Sequence, residues 1–411
     1  MSVTLDLGND DILALLDREI QRGYSRRTPI TKIQIECSSA EFWIGMGDSL
    51  TENDLILIFQ KVGRAFPSLQ EVAMKVFELP LPVIALDALL RLTKDTLQVI
   101  DLVDVVLKGT QHELESLART FEGHPSLQKI HLDWCLPIVG SLDAVFGNLS
   151  TIRKLSHVKI CGAAISTERL RVLCSKPSLK CISFLDDHIE DDGIMAMAES
   201  LDTNENVREL SIRLCGLHPS TGESFARSLR ANESLEALEV RIKDSDWNAY
   251  GQSFTNAIQQ NKSLSSLTVF VDGNDIQVTP TVKQLTGALY GHPSLKSVRF
   301  GLRGAQTNGV PRLIAETFVG PLRTVLETNT ILEDVQIDGM MESPGLPLDI
   351  TFLLKANRAG RDKLLKNPAD HDLWIETLIA NSADVGFTQY LLNMNPSICP
   401  VPPPTALYYE V

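Results

Sequence analysis

The chain has 411 residues, 44% of them hydrophobic and 22% charged, and carries a net charge of −14. That composition suits a folded protein, while the acid excess argues against a general nucleic-acid binder or a protein docked on anionic lipid, since both need a basic face. No uncharged apolar run reaches the ~20 residues that span a bilayer, and the seven cysteines contain no CxxC pair, which argues against a metal ribbon or redox motif.

Residues 1–24 read as an amphipathic helix. Their opening, MSVTLDLGNDDILALLDREI, has neither the positive start nor the apolar core of a secretory leader. From residue 30 a short pattern recurs, apolar-x-x-apolar-x-apolar: Ile30/Ile33/Ile35, Leu69/Val72/Met74, Leu97/Ile100/Leu102, Leu127/Ile130/Leu132 and Leu155/Val158/Ile160. It continues as Leu179/Ile182/Phe184, Val207/Leu210/Ile212, Leu235/Leu238/Val240, Leu264/Leu267/Val269, Leu295/Val298/Phe300 and Leu332/Val335/Ile337. From Leu69 to Leu295 the anchors lie 28, 30, 28, 24, 28, 28, 29 and 31 residues apart. Such a rhythm marks a repeat architecture.

The last two apolar positions of each pattern are two residues apart, which is strand periodicity with one face buried. Half a repeat later come segments such as 193–204, 222–232 and 281–292, whose apolar residues fall at i, i+3, i+4 and i+7. Several end on a fixed signal: His124-Pro-Ser-Leu, Asn232-Glu-Ser-Leu, Asn261-Lys-Ser-Leu and His292-Pro-Ser-Leu. Asn tolerates the left-handed conformation that ends helices, and Pro cannot continue one. Each unit is therefore strand, loop, helix, loop, and successive strands run parallel. Strands ~4.8 Å apart backed by helices ~8–10 Å apart force an arc with strands on the concave face. The expected fold is an α/β solenoid of about eleven repeats of ~28 residues. Its expected divisions are an N-terminal helical cap (1–29), the repeat array (30–345), a C-terminal helical cap (346–399) and a Pro-rich tail (400–411).

The period and the helix endings AESLDTNENVRELSI and ARSLRANESLEALEV resemble ribonuclease-inhibitor-like leucine-rich repeats. In that family a recurrent Asn or Cys satisfies backbone groups after the strand, which the resemblance assigns to Cys135 and Cys215. The C-terminal elements NRAGR and NPSIC resemble a helical module of diatom-type algal leucine-rich-repeat proteins. Neither resemblance implies an active site.

No phosphate-binding loop, GxSxG, HExxH or GxGxxG occurs. No cofactor or metal is expected. The best metal candidate, His131, His157 and Cys161 on adjacent strands, lacks a fourth ligand and is flanked by Lys129 and Lys159. Asp186, Asp187, Glu190, Asp191 and Asp192 form an acidic run where a helix starts, and acids suit that dipole. Trp43, Trp134, Trp247 and Trp374 read as core anchors. Asn357, Arg358 and Arg361 are an anion-site candidate, with solvated arginines near a helix end as the simpler reading.

On the concave face the sequence places seven basic residues (Lys32, Lys75, Lys129, Lys159, Arg213, Arg241, Arg299) against eight acids (Glu36, Glu71, Asp101, Asp133, Glu209, Glu239, Asp334, Asp338). That face is electrostatically unremarkable as a whole. The expected function is non-enzymatic: a monomeric cytoplasmic or nuclear scaffold binding a protein partner, not nucleic acid or membrane, through this face or the long loops near 37–49 and 301–312. The candidate contact residues are Leu185, Arg213, Glu239, Arg241, Phe270 and Arg299, because Arg and aromatic residues dominate interface energetics. Two alternatives stand beside it. A Ran-directed GTPase activator also uses such repeats, with Arg26 and Arg27 as nominal catalytic candidates. A nuclease inhibitor or sensor module would want an acidic cavity or a signalling domain.

Overall fold

Each apolar pattern forms a β-strand because its second and third apolar residues point to one side of the pleat. A computed structural model of the chain describes residues 2–6, 12–26, 29–36, 52–133, 142–161, 165–185, 189–272, 275–303, 310–338 and 346–395. The chain divides into two units, Met1–Ile242 and Lys243–Val411.

The first unit holds β1 (Ser2–Asp6), β2 (Lys32–Glu36), β3 (Glu71–Pro82), β4 (Val99–Lys108), β5 (Lys129–Asp133), β6 (His157–Cys161), β7 (Cys181–Phe184), β8 (Glu209–Leu214) and β9 (Ala237–Lys243). Consecutive strands pair in parallel, in chain order. Between them lie α1 (Ile12–Arg26), α2 (Glu52–Ala65), α3 (Val83–Leu92), α4 (Gln111–Phe121), α5 (Asp143–Leu149), α6 (Thr167–Cys174), α7 (Asp191–Thr203) and α8 (Pro219–Ala231). The second unit holds α9 (Asp244–Gln260), β10 (Ser266–Asp272), α10 (Asp275–Ala288), β11 (Ser297–Arg303), α11 (Val310–Thr328) and β12 (Asp334–Ile337), the three strands again parallel in chain order. Four helices follow: α12 (Leu348–Arg358), α13 (Arg361–Lys366), α14 (His371–Ala380) and α15 (Val385–Met394).

Ile100, Ile130, Val158, Ile182, Leu210 and Leu238 stand in one register line and are at most 3% exposed. The helices meet this line with their own stripes. In α7, Ile194, Met197, Ala198 and Leu201 are buried at i, i+3, i+4 and i+7. The architecture is an α/β leucine-rich-repeat solenoid, as the periodicity requires.

Twelve strands are described where eleven were expected, and the additional one is β1. Val3 and Leu5 alternate with Ser2, Thr4 and Asp6, so residues 2–6 carry a period of two and bury that pair beside β2. The N-terminal helix accordingly begins at Ile12.

The junction signals work differently from the sequence reading. Asn232 and Asn261 are extended (φ −71°, ψ 129° and φ −69°, ψ 135°), not left-handed. Their side chains do the capping. In Asn232 the amide N–H donates to Leu201 O of the preceding repeat (2.7 Å), while its oxygen accepts from Ser234 N (3.0 Å) and Leu235 N (2.7 Å). Asn329 repeats the pattern with Leu289 O, Ile331 N and Leu332 N. His292 substitutes an imidazole: Nε2 donates to Ile258 O (2.9 Å) and Nδ1 accepts from Leu295 N (3.0 Å). The left-handed residue in that junction is Gly291 (φ 64°), where a Cβ would be strained. Lys176 takes the same position before Pro-Ser-Leu and donates to Ser150 O (2.9 Å). The serine of the motif forms a second ladder, Ser126 to Leu97 O, Ser234 to Val207 O and Ser294 to Leu264 O. Buried backbone groups between repeats are thereby satisfied by side chains one period away.

Candidate functional site

Strand alternation sends every second side chain to the face that no helix covers. On β2 to β6 that face is a lattice of opposite charges. Lys32 pairs with Glu71 (2.6 Å) directly across the register. His131 lies between Asp101 (Nδ1 to Oδ1, 2.6 Å) and Asp133 (Nε2 to Oδ2, 3.6 Å), and Lys159 approaches Asp133 at 3.8 Å. The hydrogen bond from His131 holds the Asp101 carboxyl below the usual carboxylate range. His157 faces Lys129 in register and hydrogen-bonds Ser156 Oγ (2.7 Å). Its imidazole is held below its ordinary pKa, first by burial and then by the Lys129 charge. His131 and His157 are thus diagonal neighbours, with His131 Nδ1 held by Asp101 and His157 Nδ1 by Ser156. Among the described residues no group of three His, Cys, Asp or Glu is arranged to hold a metal ion.

Further along, Arg213 of β8 stands directly opposite Arg241 of β9, both half-buried on the uncovered face. No described residue forms an ion pair with Arg213. In the preceding row Ser211 faces Glu239 and donates to its carboxylate (3.0 Å). Glu209 is bonded toward Cys181, and burial together with that carboxylate pushes the Cys181 thiol up to about 12. Neither acid neutralises Arg213. Leu185 lies one residue past β7 and is half-buried.

The second unit holds Phe270 and Arg299, and here the sequence expectation fails. Phe270 is not an exposed anchor but only 7% exposed. Its register partner is Gly301, where a Cβ would come within 2.4 Å of the Phe270 ring, so the absent side chain makes the ring's berth. The Arg299 guanidinium lies 5.7 Å above the ring centroid and is held by Asp338 (Nη2 to Oδ2, 2.9 Å). Such stacking covers the ring.

The other sequence candidates resolve structurally. Cys215 donates to Arg241 O (3.6 Å), the backbone role the repeat resemblance implies. Asp191 accepts from His218 N (2.9 Å), and Glu190, Asp191 and Asp192 sit at the start of α7. Trp247 and Trp374 are buried. Cys161, Cys174, Cys181 and Cys215 are free thiols. Arg26 is the last residue of α1. Cys37, Trp43, Arg27, Trp134, Cys135, Asp186, Asp187 and Cys399, with the loops at 37–49 and 304–309, lie outside the described residues.

In the NRAGR element Asn357 and Arg361 turn inward, while Arg358 is exposed. Arg361, 8% exposed, donates to Leu326 O (2.6 Å) and Glu327 O (3.0 Å), the last-turn carbonyls of α11. Asn357 donates to Asn329 O and Leu332 O, and Arg358 to Glu333 O. A cation at a helix C-terminus satisfies both its dipole and its orphan carbonyls. Sequence reasoning missed this because the acceptors are backbone atoms 25 to 35 residues away.

No family model matches the chain, and no curated protein does. Among solved structures, a yeast Rad7–Elc1 complex chain matches at 13% identity with a TM-score of 0.44, covering 81% of this chain and 87% of that one. A chain of the leiomodin-1 actin-binding site 2 matches at 17% identity with a TM-score of 0.27, covering 49% and 92%. No described helix is long and apolar enough to cross a membrane.

Proposed function

We propose that the chain is a non-enzymatic protein-interaction scaffold, with repeats of the ribonuclease-inhibitor type, and that it binds an acidic patch of a protein partner on the uncovered face of β8 and β9. The observation that carries this reading is Arg213, half-buried on that face beside its register neighbour Arg241 and in no ion pair with a described residue. Like charges directly opposite one another on a sheet are destabilising. A partner carboxylate at Arg213 supplies the missing opposite charge, and Arg is well suited to bidentate carboxylate recognition. Elsewhere on the face, Lys32, His131 and Lys159 already have carboxylate neighbours. The candidate set is therefore narrowed to Arg213, Arg241, Glu239 and Leu185. Phe270 and Arg299 serve the packing of the second unit instead.

The test is quantitative capture from native lysate on immobilised parent chain and on the Arg213→Ala/Arg241→Ala chain, with the retained proteins measured by mass spectrometry. The expected result is at least one protein that binds the parent stoichiometrically and is lost from the double variant at equal thermal stability. Indistinguishable retention on the two columns refutes the placement.

A further inference from the structure

The helices after the last repeat bury one face well and leave another bare. Trp374, Phe387, Leu391, Leu364 and Ala356 form their core. On the opposite side of α14, Ile375 and Ile379 are 44% and 68% exposed, and they stack at i, i+4. Val385, the first residue of α15, is 79% exposed. β-branched apolar side chains so exposed, two on one face of α14 and one at the start of the helix that follows it, mark an interaction surface more than single surface hydrophobics do.

The sequence of these two helices is one-sided in charge, although Lys355 of α12 reaches Asp384. Residues 367–395 contain no Lys or Arg, but four acids: Asp370, Asp372, Glu376 and Asp384. Asp370 is spent on the N-cap of α14, and Asp384 caps α15 and pairs with Lys355. Asp372 and Glu376 are exposed, are engaged by no cation among the described residues, and flank the Ile375–Ile379 stripe one helical step away. A second copy of the chain would bring the same acids face to face, which disfavours self-association through this surface. An apolar stripe edged by carboxylates is complementary to a helix that is apolar on one side and basic on the other.

We propose that the corner formed by α14 and the start of α15 docks a basic amphipathic helix of a partner protein, with Ile375, Ile379 and Val385 receiving the apolar stripe and Asp372 and Glu376 the flanking Lys or Arg. This surface is independent of Arg213 and Arg241.

The probe is a fluorescein-labelled synthetic peptide of about five turns, with Leu at i, i+3, i+4 and i+7 and Lys elsewhere. It is titrated by anisotropy into the full-length chain. Micromolar binding is expected, weakened at least tenfold by Ile379→Ser/Val385→Ser and separately by Asp372→Asn/Glu376→Gln, and weakened similarly by scrambling the peptide. All four residues are exposed, so melting temperatures should be unchanged. A photo-crosslinking residue placed at Ile379 then reports the occupant directly. Cross-links to the peptide support the proposal. Cross-links to residues 396–411 of the same chain, cross-links to a second copy, no cross-links, or binding indifferent to both variant pairs overturn it.

Discussion

Asn329 and Asn357 lie 28 residues apart and use the same side chain in opposite ways. Asn329 donates back to Leu289 O and accepts from Ile331 N and Leu332 N, so it joins one repeat to another. Asn357 gives both amide protons to the last repeat, at Asn329 O and Leu332 O, and its Oδ1 has no hydrogen-bond partner among the described residues. Immediately afterwards Gly360 turns left-handed (φ 87°) and Arg361 closes the end of α11. The comparison teaches that the propagating position takes several chemistries, Asn232, Asn329 and His292 both donating and accepting and Lys176 donating, whereas Arg361 at the terminus is a donor alone.

The largest effect should come from breaking the terminator. Arg361→Met keeps most of the side-chain volume but removes two charge-assisted bonds worth roughly 1.5–3 kcal/mol each. A loss of about 4 kcal/mol in denaturant unfolding is expected, with early exposure of Trp374 fluorescence. A midpoint equal to the parent's shows the contacts to be incidental.

Next comes the ring once expected to bind a partner. Because Phe270 is buried under Arg299 against Gly301, Phe270→Ala should cost about 3 kcal/mol through the cavity it leaves. An unchanged melt places the ring at the surface after all.

Within the propagating junctions, Asn232→Ala strands Leu201 O and the Ser234 and Leu235 amides, at a cost of about 2 kcal/mol. Asn232→Asp should rescue little, since a carboxylate cannot donate to Leu201 O.

The smallest effect distinguishes Asn from His. Burial holds the His292 imidazole below its ordinary value of 6.5, and Nδ1 must stay unprotonated to accept from Leu295 N. The unfolded chain takes up a proton as pH falls through about 6.5 and the folded chain does not, so acid favours unfolding. The contribution is intact above pH 6.5 and is lost progressively below it. His292→Asn preserves donor and acceptor without titrating. It should match the parent at pH 8 and exceed it at pH 5.5 in paired thermal melts, and parallel pH curves exclude this role.

Much of the framework was legible in sequence because burial repeats: every strand anchor from Leu69 to Leu332 is buried, as the rhythm of apolar residues requires. The Asn/His-x-Ser-Leu signal was visible too. Its mechanism was not, because single-residue preference points to a left-handed backbone, whereas the bonds actually made reach a carbonyl one period back. β1 was hidden by its shortness beside a stronger helical pattern. The face fared unevenly. Arg213, Glu239 and Arg241 fall where alternation puts them, but Phe270 was misjudged because its cover comes from a glycine two residues beyond Arg299, on the neighbouring strand.

The assignment of Arg213 to a partner is tested most directly by reversing its charge. On one preparation of the Arg213→Glu chain, the melting temperature and the dissociation constant for the captured partner are both measured. The predicted result is an unchanged melt with binding weakened a hundredfold or more, about 2.7 kcal/mol. Full affinity, or a loss of affinity that merely follows a lowered melting temperature, contradicts it.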